Sequence, residues 1–142
     1  MVTSPADSGV GSLRAALQAA QSGDRIVFDL AAFPPGSPAS IVVRSALPAL
    51  GAGSVILDAS GAGVRLDGSQ ASAGTSGLAL TSACNTVRGL EISGFPGLGL
   101  RVSGANNLVE ANRLLGNGQG GVAIEGAGAS GNVLLGNAIG VI

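Results

Sequence analysis

Two aspartates and one arginine are the residues best placed to do chemistry in this chain. Asp58 stands in the run VILDAS, Asp67 in VRLDGS, and Arg65 lies two residues before Asp67. Two carboxylates brought together can divide acid and base work in glycosidic hydrolysis, or hold Ca2+ through their oxygens. The same residues also have a structural role open to them. Each aspartate is followed by small turn-forming residues, and an aspartate that opens a turn accepts hydrogen bonds from the backbone just beyond it. Chemistry that needs imidazole is excluded, because the chain has no histidine. Cys84 is the single cysteine; it can form no intrachain disulfide and has no histidine to activate it. No cofactor is expected.

Composition removes further classes. Seven arginines face eight acidic residues, for a net charge of −1, and no basic patch is visible. The electrostatic footprint of a nucleic-acid binder is therefore missing. No apolar run is long enough to enter a membrane as a spanning helix, and MVTSPADSG lacks the basic and apolar regions of a signal peptide. The glycine-rich stretches GLGLRVSGANN and GNGQGG are not followed by the Lys-Ser/Thr of a phosphate loop, so they read as turns. With no Trp or Tyr there is no aromatic platform for sugars; Phe95, in SGFPG, is expected to be a turn residue shielding a flank.

The elements that must position these residues are short. Residues 12–22 are expected to form a helix, with Ser12 as N-cap, Leu13, Ala16, Leu17 and Ala20 on one apolar face, and Gly23 just past its end. Residues 25–30 read as a strand. Residues 31–40 hold three prolines and a glycine and read as a loop. Beyond them, β-branched runs alternate with Gly, Ser and Asn to the end.

The alternation has a period. Leu78-Ala79-Leu80, Leu100-Arg101-Val102 and Val122-Ala123-Ile124 recur every 22 residues. Asn85 and Asn107 keep the same step and Asn132 follows at 25, the extra three residues falling in the turn 126–131. Ile92, Leu114 and Ile139 share this register. A period kept in strands and relaxed only in a turn is that of a coil, in which equivalent strands stack in parallel and each coil buries its apolar face on the next. The fold class predicted is all-β: a right-handed parallel β-helix of roughly five rungs with a short N-terminal capping α-helix. It forms one structural domain, cap over 1–25 and rungs over 26–142.

Stacking makes specific demands. Asn85, Asn107 and Asn132 fall at one position and Asn112 and Asn137 at another, so their amides are expected to form ladders along the axis. Arg88 falls opposite Glu110 and Glu91 opposite Arg113, two stacked pairs of opposite sign. If exposed, each pair contributes about 0–1 kcal/mol, so they specify register more than stability.

At this level the chain resembles the right-handed parallel β-helix (pectate-lyase-like) repeat domains of large secreted or surface-attached bacterial proteins. VTSPADSGVGSLRAALQAAQSGDRIVFDL is similar to their capping segment. SALPAL, ILDAS, VRLDGS and NTVRGLEISGF are similar to early rungs, and GASGNVLLGNAIG to a later coil. The resemblance implies an extracellular or surface location. It also implies two activities seen on this fold: polyuronate lyases with clustered Asp, Ca2+ and a basic residue, and hydrolases that add a histidine. Under that reading Asp58, Asp67 and Arg65 are the catalytic candidates, although the histidine is missing and no run of aspartates is present.

The coil pattern ends on apolar residues, GNAIGVI, with Leu134, Ile139, Val141 and Ile142 expected to form an assembly end. A bare solenoid end is a template for pairing. The expected partners are further coils of a longer parent chain or a second copy, with polysaccharide as a further possibility; no nucleic acid and no membrane insertion are expected. The expected function is a non-enzymatic scaffold module. The alternatives are a polysaccharide-active enzyme fragment and a glycan-binding module.

Overall fold

A computed structural model describes residues 1–140; Val141 and Ile142, two of the expected assembly-end residues, lie outside the described residues. The chain opens with a single helix, α1 (Leu13–Ala19). Ser12 caps it, its Oγ accepting from the Ala15 N–H at 3.2 Å, which satisfies one of the donors a helix start leaves free. Leu13 and Leu17 lie one turn apart and are buried on the first coil.

The helix is shorter than the expected 12–22. Gln21 and Asp24 close a turn of their own, Asp24 N–H to Gln21 O at 3.0 Å and Gln21 N–H to Asp24 Oδ2 at 2.8 Å. That turn competes with the last helical turn and ends the helix early. Gly23 therefore sits inside this turn at φ 90°, not at the helix end.

Among the described residues thirteen short strands follow: β1 (Arg25–Ile26), β2 (Ala39–Val42), β3 (Ile56–Asp58), β4 (Val64–Asp67), β5 (Leu78–Leu80), β6 (Thr86–Arg88), β7 (Glu91–Ser93), β8 (Leu98–Val102), β9 (Leu108–Glu110), β10 (Arg113–Leu115), β11 (Gly120–Ile124), β12 (Val133–Leu135) and β13 (Ala138–Gly140). They form three parallel sheets. The first is β1-β3-β6-β9-β12, the second β2-β4-β7-β10-β13 and the third β5-β8-β11. Each coil visits the sheets in turn, which makes the fold a β-solenoid of about four turns. The expected count of roughly five rungs corresponds to the five strands of the first sheet, which bound four complete turns.

The registers follow the repeat. Leu78, Leu100 and Val122 are partners across the third sheet, and Ile92, Leu114 and Ile139 across the second. Val87, Val109 and Leu134 align in the first. Alternate side chains point inward, so one continuous apolar core runs from Val2 in the cap to Leu114.

In the last three described coils the corner between the first and second sheets is a two-residue turn with a left-handed residue. Gly89 has φ 76°, and a methyl group there would meet Ser60 N at 2.5 Å, so the position requires glycine. One coil later Ala111 takes the same left-handed conformation, φ 55°. Phe95 is not a flank shield: it is 1% exposed and fills the corner between the second and third sheets. A methyl group on Gly68 would overlap its ring, and one on Gly77 would crowd the ring's edge at 3.3 Å, so the two glycines shape its seat. The reason is volume, since a coil this poor in aromatics needs one large side chain where two sheets diverge.

Candidate functional site

Asp58 ends β3 with its side chain 5% exposed. Its Oδ1 accepts from the Ser60 N–H at 2.9 Å and the Ser60 hydroxyl at 2.5 Å. Its Oδ2 accepts from Arg25 Nη2 at 2.6 Å. Arg88 Nε lies 4.0 Å from Oδ1, within ion-pair range but with no hydrogen-bond partner. Burial pushes the Asp58 carboxyl upward, but the Ser60 hydrogen bonds and the charges of Arg88 and Arg25 outweigh it and hold it below the usual carboxylate range.

This arrangement predicts a pH dependence. A carboxyl whose folded-state pKa lies below its unfolded value contributes stability at pH above that unfolded value, near 4. The contribution fades as pH falls through the folded-state pKa. Asp58→Asn should destabilise by about 1.5–3 kcal/mol at pH 7, the range for hydrogen bonds to charged groups. It should also flatten the loss of stability between pH 5 and 2; urea-unfolding midpoints across that range measure both.

Asp67 sits at the far end of β4 and makes a turn of the same type, its Oδ1 accepting from the Ser69 N–H at 2.9 Å. The two aspartates share no hydrogen-bond partner. Arg65 turns to Glu91, Nε to Oε2 at 3.3 Å. The structure therefore does not unite Asp58, Asp67 and Arg65. Among the described residues no three Asp, Glu or Cys side chains converge as a metal site would require. Cys84 is exposed, in a turn with φ 65°.

The charges on the flanks are largely paired along the axis. In the first sheet, Arg25, Asp58, Arg88 and Glu110 form a chain of alternating sign across successive coils, closing with Arg88 Nη1 to Glu110 Oε1 at 3.5 Å. Arg101 and Glu125 pair beside the third sheet. Arg113 stands opposite Glu91 in the strand register, but the expected Glu91–Arg113 pair does not form. Glu91 lies between two guanidiniums and its short side chain closes on Arg65. Arg113 is left exposed, where pairing gains little in water. A shallow groove of about 240 Å3 runs along this corner, lined by Pro35, Pro38, Gly63, Glu91, Ala111 and Arg113 among others.

The asparagines occupy the inner corners. Ahead of the first sheet, Asn85 Oδ1 accepts from the Val55 N–H at 3.1 Å, Asn107 Oδ1 from the Asn85 N–H at 2.9 Å, and Asn132 Oδ1 from the Asn107 N–H at 2.9 Å. Ahead of the second sheet, Asn112 Oδ1 accepts from Leu90 and Asn137 Oδ1 from Asn112, both at 3.0 Å. The sequence reading missed a third column: Asn117 Oδ1 accepts from the Phe95 N–H at 3.0 Å. Its spacing of five residues from Asn112, equal to that between Asn107 and Asn112, is the signal that would have found it.

Amide-to-amide bonds do occur, Asn85 Nδ2 to Asn107 Oδ1 at 3.0 Å and Asn112 Nδ2 to Asn137 Oδ1 at 3.2 Å. Most of the ladder, however, joins side-chain amides to backbone. Asn112, Asn117, Asn132 and Asn137 each send Nδ2 to a carbonyl of the coil before, at Val87, Ile92, Gly104 and Val109.

Comparison with protein-family models, curated proteins and solved structures gives no match for this chain. Function is therefore argued from the geometry. The last coil differs from the rest: Val133, Leu134, Leu135 and Ile139 are 49%, 40%, 59% and 49% exposed, whereas the residues stacked beneath Leu134 and Ile139, Val109 and Leu114, are buried.

Proposed function

We propose that the chain is a non-enzymatic scaffold module of an extracellular or surface protein, a rigid coil extended through the face of its last rung. The observation that carries this reading is where the chemistry-bearing groups are spent. Asp58 is bound by its own turn and by Arg25, Asp67 by its own turn, and Arg65 by Glu91. Meanwhile, among the described residues, the exposed large apolar side chains beyond the N-terminal segment lie at Ile124, Val133, Leu134, Leu135 and Ile139. Exposed apolar side chains gathered on one coil in this way mark an interaction surface. The extracellular location rests on the resemblance of the repeat and cap.

A second reading, a polysaccharide-binding or polysaccharide-cleaving flank, has one observation in its favour: the groove beside Glu91 and Arg113. Incubation with polygalacturonate and alginate separates the two. The scaffold reading expects no unsaturated product, no new reducing ends and no retention on either polymer. Turnover by the parent protein, lost in an Asp58→Ala variant that circular dichroism shows to be folded, would transfer the assignment to the enzyme class. Retention without turnover, weakened by Arg113→Ala, would favour glycan binding.

A further inference from the structure

The asparagine columns have a direction, and it specifies what the last coil can receive. In every column the side-chain oxygen belongs to the later coil and the backbone N–H to the earlier one: Asn85 caps Val55, Asn107 caps Asn85, Asn132 caps Asn107, Asn112 caps Leu90, Asn137 caps Asn112 and Asn117 caps Phe95. Asn112, Asn117, Asn132 and Asn137 each also send an Nδ2 bond back to a carbonyl of the earlier coil, and the amide-to-amide bonds from Asn85 and Asn112 again take their oxygen from the later coil. Each coil is thus clamped by the one that follows it. Among the described residues, the backbone N–H groups of Asn132 and Asn137 reach no acceptor. They stand beside the exposed Leu134 and Ile139.

We infer that the face of the last rung is a docking site for a further coil of the same repeat, entering with its strands parallel and with asparagine at the two corners above Asn132 and Asn137. This inference rests on the scaffold reading and names its partner. Such a coil supplies Oδ1 to both waiting N–H groups, two Nδ2 donors to corner carbonyls, and apolar side chains to cover Leu134 and Ile139. Burying those N–H groups without an acceptor would carry the full penalty of stripping them of water, so an apolar surface alone is a poor match. A second copy docking by its own last rung is a poor match as well. Its Asn132 and Asn137 amides already point back into its own chain and have no oxygen to offer forward. Its first coil is covered by α1 through Leu13 and Leu17.

The test is a tandem extension. Residues 118–142 are duplicated after Ile142 in the full chain, which places the added asparagines one coil above Asn132 and Asn137. A companion carries Asn132→Ala and Asn137→Ala within the added copy only. Hydrogen exchange read at the original Asn132 and Asn137 amides reports the bond directly. The extension should slow exchange there at least about tenfold, and the companion should not, although both cover the same apolar face. Equal protection in the two, or none in either, overturns the inference. So does concentration-dependent protection in the unextended protein together with a dimer in sedimentation, which would make a second copy the occupant. Polyuronate turnover would sink the scaffold reading without changing this exchange pattern.

Discussion

Replacing Phe95 with alanine is expected to lower the unfolding free energy by about 3–5 kcal/mol, the range for deleting a buried aromatic ring. The ring is 1% exposed and fills the corner where the second and third sheets part. Its neighbours can close the hole only poorly. Gly68 and Gly77 line its seat, and neither carries a side chain that could turn inward. The same packing makes the effect of a second change depend on the first. Gly68→Ala alone places a methyl group in the ring and should be costly; the Phe95→Ala background removes the overlap with the ring but leaves the Phe95 Cα 2.6 Å from that methyl, so only part of the cost is relieved. A double-mutant cycle on urea-unfolding midpoints should therefore give a coupling within the 0.5–3 kcal/mol seen for residues in contact. Additive losses would show that the ring and Gly68 do not pack as described.

Phe95 also marks the limit of what was legible in the sequence. The 22-residue step was legible because stacking forces equivalent residues into equivalent places, and Leu78, Leu100 and Val122 had to share a chemistry. Phe95 has no counterpart one coil away. The residue one step on is Asn117, so no repeat identified the phenylalanine as an inner corner residue. Glu91 shows a second limit. The register placed it correctly opposite Arg113, but strand spacing cannot decide which of two flanking guanidiniums a carboxylate will choose. For Asp58 and Asp67 the short sequence after each residue already contained the turn that consumes it. Arg25, the partner that holds Asp58 most closely in a side-chain ion pair, lies 33 residues away, and only the coil brings it there.

The corner positions follow a rule that the sequence alone could not supply. Each column begins with an apolar residue, Val55, Leu90 or Phe95, and continues with asparagine. In the coil before Phe95, the turn N–H of Ser69 is satisfied within its own turn by Asp67. In the coil before Val55, the N–H of Asp24 is held by Gln21 O. A later coil stacked on such a turn needs only to fill space. In these two columns, from Val55 and Phe95 onward, the coil above supplies the acceptor as asparagine. Asp67, a catalytic candidate by sequence, thus does within one turn what Asn117 does between two.

That rule gives the second large effect. Asn107→Ala should destabilise by roughly 2–4 kcal/mol, combining the loss of bonds with the orphaning of a buried donor. Asn107 Oδ1 accepts from both the N–H and the Nδ2 of Asn85, a residue 1% exposed, and its Nδ2 donates to Ser82 O at 3.1 Å. Asn85 Nδ2 keeps Ser82 as a partner, but the Asn85 N–H has no other acceptor among the described residues, and Asn85 is almost wholly buried. Asn107→Leu separates bonding from packing. Leucine fills the corner, as Leu90 does in the neighbouring column, yet offers no oxygen. If the ladder acts through its hydrogen bonds, Asn107→Leu stays well below wild type in unfolding free energy, and the Asn85 amide exchanges faster in both variants. Asn132→Ala should cost less, because Asn132 is half-buried and water can replace part of what its side chain provides. Full stability in Asn107→Leu would mean that the corner asparagines only fill space, and the directional clamp proposed for the last coil would fall with it.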